Sequence, residues 1–304
     1  MIDILGKRYW LFGLSLLVII PGLLILAFGG MPLSIDFTGG TLLEVSFDSA
    51  SPAPADVLAL YETLGISDAT VQTTDTGAFI IRSSFLDDDA RENVLSNMKS
   101  TIGTTTLLRY DSVGPAIGEQ VTQRAALAVA VAALAVIIYI VFTFRGIQHA
   151  ERYGLMAILA MIHDVAVVFS VAGIGALLLG WEMDALFLTA LLTVIGFSVQ
   201  DKIVVFDRIR ENATILRRLP YETLVNHSIV QTLQRSINTQ LMTVEFLLLA
   251  LALFGGVTLQ EFAVILLVGL LSGTYSSIFI AAPLLVVWEN QEWKTWFGRK
   301  EITA

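Results

Sequence analysis

The hydrophobic residues of this chain are concentrated in six long runs. A helix needs roughly 20 apolar residues to cross the hydrocarbon core of a bilayer, which is about 30 Å thick. Each run is about that long, so the pattern predicts six transmembrane helices. The predicted helices cover residues 10–29, 125–144, 154–178, 185–205, 240–257 and 262–288.

The first predicted helix has one feature of a secretory signal peptide, because Lys7 and Arg8 precede its apolar stretch. However, the stretch is longer than the apolar core of a typical signal peptide, and no clear cleavage site follows it. We therefore expect an uncleaved signal anchor.

Residues 31–124 follow a different pattern, in which short alternating stretches replace the long apolar runs. Alternation of apolar and polar residues predicts strands, and apolar residues three or four apart predict helices. The order strand, helix, strand, strand, helix, strand predicts a ferredoxin-like α+β domain. This segment contains no residue set suited to catalysis, so we expect a binding or mechanical module. The strands are predicted at 41–47, 69–74, 78–85 and 104–110, and the helices at 55–64 and 87–102.

Lysine and arginine are distributed unevenly, and cytoplasmic loops are the segments that retain positive charge. Of the 18 Lys and Arg residues, five fall in residues 31–124, and the short loops near Gly180 and Gly256 contain none. This distribution predicts that both termini are cytoplasmic and that residues 31–124 are extracytoplasmic. The predicted parts are residues 1–30 with the first helix, the outer domain at 31–124, helices two to six at 125–290 with a cytoplasmic amphipathic hairpin at about 206–238, and a cytoplasmic tail at 291–304.

Composition agrees with a chain whose main solvent is the lipid bilayer, since 55% of its residues are hydrophobic and only 15% are charged. The formal net charge of −9 argues against nucleic acid as a partner. Cysteine is absent from the sequence, which excludes disulfides and thiolate metal sites. No phosphate-binding loop motif occurs either, so we predict no nucleotide, metal or other cofactor.

Several ionisable residues lie within or beside the predicted transmembrane helices. His163 and Asp164 fall near the middle of the third, Asp201 in the fourth and Glu245 in the fifth, which Arg235 precedes. A charge at a helix centre costs roughly 2.5–3.5 kcal/mol on insertion scales, so these side chains are expected to face the bundle interior and form pairs. Such titratable groups are candidates for a proton relay. The alternative for Asp201 is a helix-end charge paired with a nearby Lys or Arg at the cytoplasmic interface.

Small residues follow one face of the sixth predicted helix, where Gly269, Ser272, Gly273 and Ser276 recur at helical spacing. Small residues four apart allow two helix backbones to approach closely. For Gly269 and Gly273 we therefore predict a helix-packing role.

Five short motifs in the sequence resemble the SecF subunits of the SecD/SecF protein-export family, in the RND superfamily. The motifs occur in the family's order and span essentially the whole chain. They are Asp36, Phe37, Thr38, Gly39 and Gly40 after the first helix, Gly114 and Pro115 before the second, His163 and Asp164 in the third, Asp207 and Arg208 after the fourth, and Asn238 and Thr239 entering the fifth.

The resemblance implies an RND-like membrane half that pairs with SecD as a heterodimer and promotes late stages of protein translocation at the SecYEG channel. It implies that the proton motive force, rather than ATP, drives this work, and that the chain is not an enzyme. It further implies a bacterial cytoplasmic membrane location and contact with the translocating preprotein. YajC and YidC are additional candidate partners.

By the same resemblance, the intramembrane aspartate of the family corresponds to Asp201, and its arginine corresponds to Arg235. These two residues are the first candidates for proton coupling. The chain departs from the family at Gln200 and Lys202, where Asn and Thr are usual, and a positive charge beside Asp201 would oppose proton uptake. Glu245 either shares the relay or only forms hydrogen bonds within the bundle.

Two other functions are compatible with the same helices. An RND-type small-molecule exporter subunit would use them, but it would carry larger outer domains than residues 31–124. A purely structural translocon subunit would hold its partners together, with Asp201 serving only as an interface ion pair.

Overall fold

A computed structural model of the chain describes residues 3–48, 52–74, 77–145, 150–240, 246–254 and 256–296. The chain forms two compact units, which we call the helical unit and the sheet unit. The helical unit comprises Met1–Met31, Ala128–Trp181 and Leu186–Ala304, and the sheet unit comprises Pro32–Leu127 and Glu182–Ala185.

Helices account for most of the described residues, and four strands form a single sheet. A short 3-10 helix at Leu5–Lys7 precedes α1, and a π-helical segment at Ser277–Ala281 joins α10 to α11. The helices are α1 (Arg8–Gly29), α2 (Ile35–Thr38), α3 (Pro54–Thr63), α4 (Asp88–Thr101), α5 (Pro115–Thr143), α6 (Ala150–Leu179), α7 (Ala185–Ile215), α8 (Tyr221–Gln240), α9 (Phe246–Phe254), α10 (Gly256–Ser276), α11 (Ala282–Glu289) and α12 (Trp293–Trp296); the strands are β1 (Gly40–Phe47), β2 (Thr70–Thr73), β3 (Phe79–Ser83) and β4 (Thr105–Val113).

Five helical segments in the described part of the chain are long and apolar enough to cross a membrane. They correspond to the first, second, third, fourth and sixth predicted transmembrane helices. The predicted fifth helix includes α9, but residues 241–245, and with them Glu245, lie outside the described residues. The five segments are Leu5–Gly29, Pro115–Thr143, Ala150–Leu179, Ala185–Ile215 and Leu259–Glu289.

α1 packs directly on the backbone of α6 because both helices carry small residues where they meet. A Cβ added to Gly22 would lie 2.1 Å from the carbonyl oxygen of Ser170, and one added to Gly173 would lie 2.8 Å from the carbonyl oxygen of Gly22. The hydroxyl of Ser170 donates a hydrogen bond of 2.6 Å to the carbonyl oxygen of Val18. In lipid, where apolar burial gives no preference for one helix over another, this close backbone contact stabilises the pair.

α7 continues without interruption from Ala185 to Ile215, so the predicted fourth transmembrane helix and the first arm of the predicted hairpin are one helix. Only the polarity of the sequence changes near residue 206, and the helical periodicity persists. α8 forms the second arm and contacts α7 through Asn212, whose side-chain amide donates to Ser228 Oγ at 2.8 Å and to Gln231 Oε1 at 2.9 Å.

The sheet unit contains a four-stranded antiparallel sheet in the order β2-β3-β1-β4. Its strands and its helices α3 and α4 follow one another in the predicted order. Successive inward residues are two apart on β1 and β3, so they share one face of the sheet, and α3 and α4 both cover that face. The core on this face includes Leu43, Val45, Val57, Leu60, Tyr61, Phe79, Ile81, Val94 and Met98.

The contact between α1 and α6 generates a stability prediction with a matched control on the same helix. We expect Gly22→Ala to lower the melting temperature of the purified protein, because the new methyl group meets backbone atoms of Ser170 that cannot rotate away. The expected loss is about 1–3 kcal/mol. Gly13→Ala should be neutral or slightly stabilising, because nothing lies within 4 Å of a Cβ at Gly13.

Thermal unfolding in detergent, monitored by size-exclusion chromatography, measures both variants. Equal melting temperatures for Gly22→Ala and Gly13→Ala would contradict the close packing of α1 on α6.

Candidate functional site

A buried carboxylate lies at the middle of α6, inside the helical unit. The side chain of Asp164 is 0% exposed and accepts hydrogen bonds on both of its oxygens. Oδ2 accepts from Ser198 Oγ at 2.5 Å and from Ser276 Oγ at 2.7 Å, and Oδ1 accepts from Ser272 Oγ at 2.7 Å. These three hydroxyls come from α7 and α10, so the carboxylate joins three helices.

Lys202 supplies the positive charge that balances Asp164. Its ammonium nitrogen lies 2.7 Å from Asp164 Oδ2, and the relative exposure of both side chains is 0%. The same nitrogen donates to the carbonyl oxygen of Ser198 at 2.7 Å and to Ser198 Oγ at 2.6 Å. An ammonium group has three donors, so all of its hydrogen-bonding capacity is used.

Helical spacing explains how the sequence places these groups together. Ser198 and Lys202 are four residues apart on α7, and Ser272 and Ser276 are four residues apart on α10, so each pair lies on one helix face. Gly273, between the two serines of α10, would place a Cβ 3.4 Å from the Cα of Ser198. α10 therefore approaches α7 closely enough for short hydroxyls to reach the carboxylate of α6.

The predicted packing glycines lie along this contact. A Cβ on Gly269 would meet Val194 Cγ2 at 2.2 Å and Val168 Cγ2 at 3.1 Å. Both valines belong to the helices that carry Lys202 and Asp164. Any larger residue than glycine at position 269 would therefore separate α10 from the other two helices.

Asp201 lies next to Lys202 in sequence but in different surroundings. Its side chain is 6% exposed, and its Oδ2 accepts a hydrogen bond of 3.3 Å from Thr274 Oγ1. Gln240, at the end of α8, also lies beside this carboxylate. The Lys202 ammonium binds Asp164 directly, and its charge acts on Asp201 only through a Coulomb interaction. Neighbouring residues on a helix point about 100° apart, so Asp201 and Lys202 face different partners.

Arg235 is exposed on α8 and forms no ion pair with Asp201 among the described residues. Its charge acts on Asp201 only through a longer-range Coulomb interaction. The structure therefore does not place these two candidate residues in direct contact.

His163 lies beside the buried carboxylate. Its Nδ1 is 3.1 Å from Asp164 Oδ1, and its ring stacks on Tyr275 of α10 with the ring centroids 6.2 Å apart. The hydroxyl of Tyr275 donates to the carbonyl oxygen of Leu11 on α1 at 2.9 Å. His163 thus connects Asp164 with the contact between α1 and α10.

The motif after the first helix shapes the backbone of the sheet unit. Ser34 caps α2, and the carboxylate of Asp36 accepts a hydrogen bond of 3.1 Å from the backbone N–H of Ala185, the first residue of α7. A carboxylate at this position accepts a hydrogen bond from the first turn of a helix and complements the helix dipole. The carbonyl oxygen of Phe37 accepts a hydrogen bond of 2.8 Å from Thr122 Oγ1 on α5.

The two glycines of the motif are required by their backbone geometry. Gly39 has φ +73°, and a Cβ there would lie 2.8 Å from the Cα of Pro115; Gly40 has φ +139°, and a Cβ there would lie 2.7 Å from the carbonyl oxygen of Ser83. A side chain is strained at such φ values and would also collide with backbone atoms. Thr38, which precedes them, donates through Oγ1 to the carbonyl oxygen of Ser34 at 3.0 Å.

A cavity of about 440 Å³ lies beside these glycines in the sheet unit. Arg82 and Glu182 face each other in its lining, with Arg82 Nε 2.7 Å from Glu182 Oε1. Burial raises the pKa of the Glu182 carboxyl despite the opposing effect of Arg82.

The remaining motif residues lie at helix ends. The carbonyl oxygen of Gly114 accepts from the backbone N–H of Gly118, and Pro115 begins α5, where its missing N–H has no effect on helix hydrogen bonding. Asp207 pairs with Arg210 at 2.6 Å on the exposed end of α7. Arg208, on the same end of α7, pairs with Glu211 at 2.5 Å. Asn238 and Thr239 are exposed near the end of α8.

The sequence did not identify Lys202 as the partner of Asp164 or the serines as its hydrogen-bond donors. One signal was present, because Ser198 with Lys202 and Ser272 with Ser276 recur at intervals of four. That spacing indicates a shared helix face but does not identify the helix that the face contacts.

Comparison with known proteins matches residues 93–291 to the family described as protein export membrane protein SecD/SecF, C-terminal, and residues 24–51 to the SecD/SecF GG motif. The protein translocase subunit SecF of Anaerolinea thermophila is 66% identical over 301 residues, which is 98% of each chain. That of Thermobaculum terrenum is 46% identical over 317 residues, which cover 100% of this chain and 99% of the relative.

The chain also resembles part of a larger protein. The crystal structure of SecDF, a translocon-associated membrane protein from Thermus, matches with a TM-score of 0.81 and 34% identity. The match covers 95% of this chain but only 39% of SecDF. The motif order, the fold and these identities confirm the resemblance found in the sequence. The chain therefore belongs to the SecF family of protein translocase subunits.

Proposed function

We propose that this chain couples a proton gradient to protein export by the Sec machinery, and that Asp164 and Lys202 form the coupling site. The observation that carries the proposal is a fully buried carboxylate whose charge is balanced by a single ammonium group, in a member of a translocase family. Intramembrane ionisable residues mark proton and ion pathways by default, because their burial is unfavourable without a function.

The geometry indicates how protonation could change helix packing. When Asp164 is ionised, it binds Lys202 and the hydroxyls of Ser198 and Ser276 through one oxygen. Proton uptake removes the negative charge and leaves the ammonium buried without a counter-charge, which is unfavourable by about 3–5 kcal/mol. Lys202 must then move or lose its own proton. Because Lys202 belongs to α7 and Asp164 to α6, either response changes the contact between these helices.

Asp201 and Arg235 remain part of the proposal as a second group near the end of α7. The carboxylate of Asp201 accepts a hydrogen bond from Thr274 of α10 and lies beside Gln240 of α8. His163 is the candidate for proton transfer to Asp164, since its Nδ1 lies 3.1 Å from that carboxylate. Glu245 stays a candidate by its position in the sequence.

The proposed partner is SecD, with which we expect a heterodimer. A SecDF protein of Thermus thermophilus is 39% identical to this chain over 271 residues, which are only 35% of its length. That relative is named SecDF, which joins SecD and SecF in one protein, and this supports an association of the two. We further propose contact with SecYEG and the preprotein, with YajC and YidC as additional partners, in the bacterial cytoplasmic membrane.

We also propose six membrane crossings, with both termini cytoplasmic and a ferredoxin-like outer domain. Five apolar helices and the apolar α9 support the number of crossings. The uneven distribution of Lys and Arg supports the orientation. The sheet order β2-β3-β1-β4, with α3 and α4 on one face, supports the ferredoxin-like assignment.

Two alternatives keep the same fold. A small-molecule exporter subunit would need an outer substrate pocket larger than the sheet unit provides. A purely structural subunit would use the pair of Asp164 and Lys202 only to hold α6 and α7 together, and it would then stimulate export equally with and without the two charges.

We expect the double variant Asp164→Asn/Lys202→Gln to fold but to lose the stimulation of export by a proton gradient. It removes both charges together, so no unpaired charge remains buried, yet no carboxylate is left at the site to take up the proton. Export into vesicles, with and without a gradient, measures the effect. Glu211→Gln is the control, since Glu211 is an exposed carboxylate on α7, the helix that carries Lys202. Wild-type stimulation in the double variant would favour the structural role.

For Arg235 we expect Arg235→Met to reduce gradient-dependent export and Arg235→Lys to be partly tolerated, because the influence on Asp201 acts through charge. Arg217→Met is the control, since Arg217 is also exposed near this end of the helical unit. If Arg235 only contacts lipid headgroups, all three variants will export normally under a gradient, and the role proposed for Arg235 will be wrong.

A further inference from the structure

We propose that the Lys202 ammonium fills a monovalent-cation site as a covalently attached cation, and that it thereby excludes Na⁺ from the coupling site. Without it, the same oxygens would bind Na⁺. The proposal deepens the function proposed above and rests on it for the coupling ion, but the binding property can be measured independently of export.

The coordination of the ammonium is the first observation. Its nitrogen contacts three oxygens of three chemical kinds, which are a carboxylate oxygen of Asp164, the carbonyl oxygen of Ser198 and the hydroxyl oxygen of Ser198, at 2.6–2.7 Å. Two further hydroxyls adjoin the carboxylate, those of Ser272 and Ser276. Carboxylates, carbonyls and hydroxyls are the ligands that hard cations take from proteins.

Charge balance is the second observation. The site holds one negative and one positive charge, and both are fully buried. If Lys202 were replaced by a neutral residue, Asp164 would be left as an uncompensated buried carboxylate, which is strongly unfavourable. Only a proton or a small cation could then balance it. The space vacated by the ammonium adjoins the oxygens that would coordinate such a cation.

The consequence for the wild-type protein is selectivity. A cation cannot approach Asp164 Oδ2 while the ammonium occupies the position between this oxygen and Ser198. A proton can, because it adds to the carboxylate itself and needs no coordination shell. The protein is therefore expected to respond to protons and to be insensitive to Na⁺.

The test is the melting temperature of the purified full chain in NaCl and in choline chloride at equal ionic strength. We expect Na⁺ to raise the melting temperature of Lys202→Ala by about 3 °C or more, because a ligand that binds only the folded state stabilises it. The wild type and the double variant Asp164→Asn/Lys202→Ala should show no difference between the two salts. Lys99→Ala, on α4, is the control for the loss of a lysine elsewhere.

Lys202→Thr provides a second variant with a smaller cavity and an additional hydroxyl ligand. If Lys202→Ala or Lys202→Thr folds only in NaCl, the proposal is supported. If both fold and neither responds to Na⁺, or if both fail to fold in either salt, Na⁺ cannot replace the ammonium and the proposal is overturned. A Na⁺ response of the wild type that Asp164→Asn abolishes would also overturn it. None of these outcomes depends on export, so the proposed proton coupling is judged separately by the vesicle assay.

Discussion

The neutralisation of one buried carboxylate is the interaction on which the helical unit depends. Asp164 has no exposed surface at the middle of α6, where an uncompensated charge would be strongly unfavourable. Lys202 of α7 supplies the opposite charge, and serine hydroxyls of α7 and α10 use the remaining acceptor positions. Because these side chains are short or fully engaged, α6, α7 and α10 must pack closely around this point. These contacts are the basis of the proposal that protonation of this single group changes the packing.

Close packing of these helices depends in turn on small residues. Gly273 brings α10 to the Cα of Ser198, and Gly269 fits against Val194 with no room for a Cβ. In lipid, van der Waals contact and interhelical hydrogen bonds are the main forces that favour one helix pair over another. Glycine and serine serve both, since glycine lets the backbones approach and serine adds the hydrogen bonds. The contact between α1 and α6 at Gly22 and Ser170 repeats this combination.

Asp164 belongs both to a family motif and to the candidate coupling site, but most of the other motif residues have a different physical role. Asp36 caps the start of α7, and Gly39 adopts a positive φ beside Pro115, so these motif residues determine backbone geometry in the sheet unit. Lys202 lies where this chain departs from the family pattern, yet it forms the buried ion pair. Motif recognition therefore led to the family, but it selected Asp201 and Arg235 ahead of the pair that the structure brings together.

The sequence by itself determined the apolar helices, the strand and helix order of the sheet unit, the family and the burial of Asp164. These follow from periodicity, local propensity and the high free energy of a charge in lipid, which act along one segment at a time. Only the tertiary structure decided which groups meet. Lys202 and Asp201 are adjacent in the chain, but about 100° of helix rotation separates their side chains. Lys202 is therefore directed to Asp164 of α6, and Asp201 to Thr274 of α10. The partner of each depends on how the helices are arranged around one another, and no single segment contains that information.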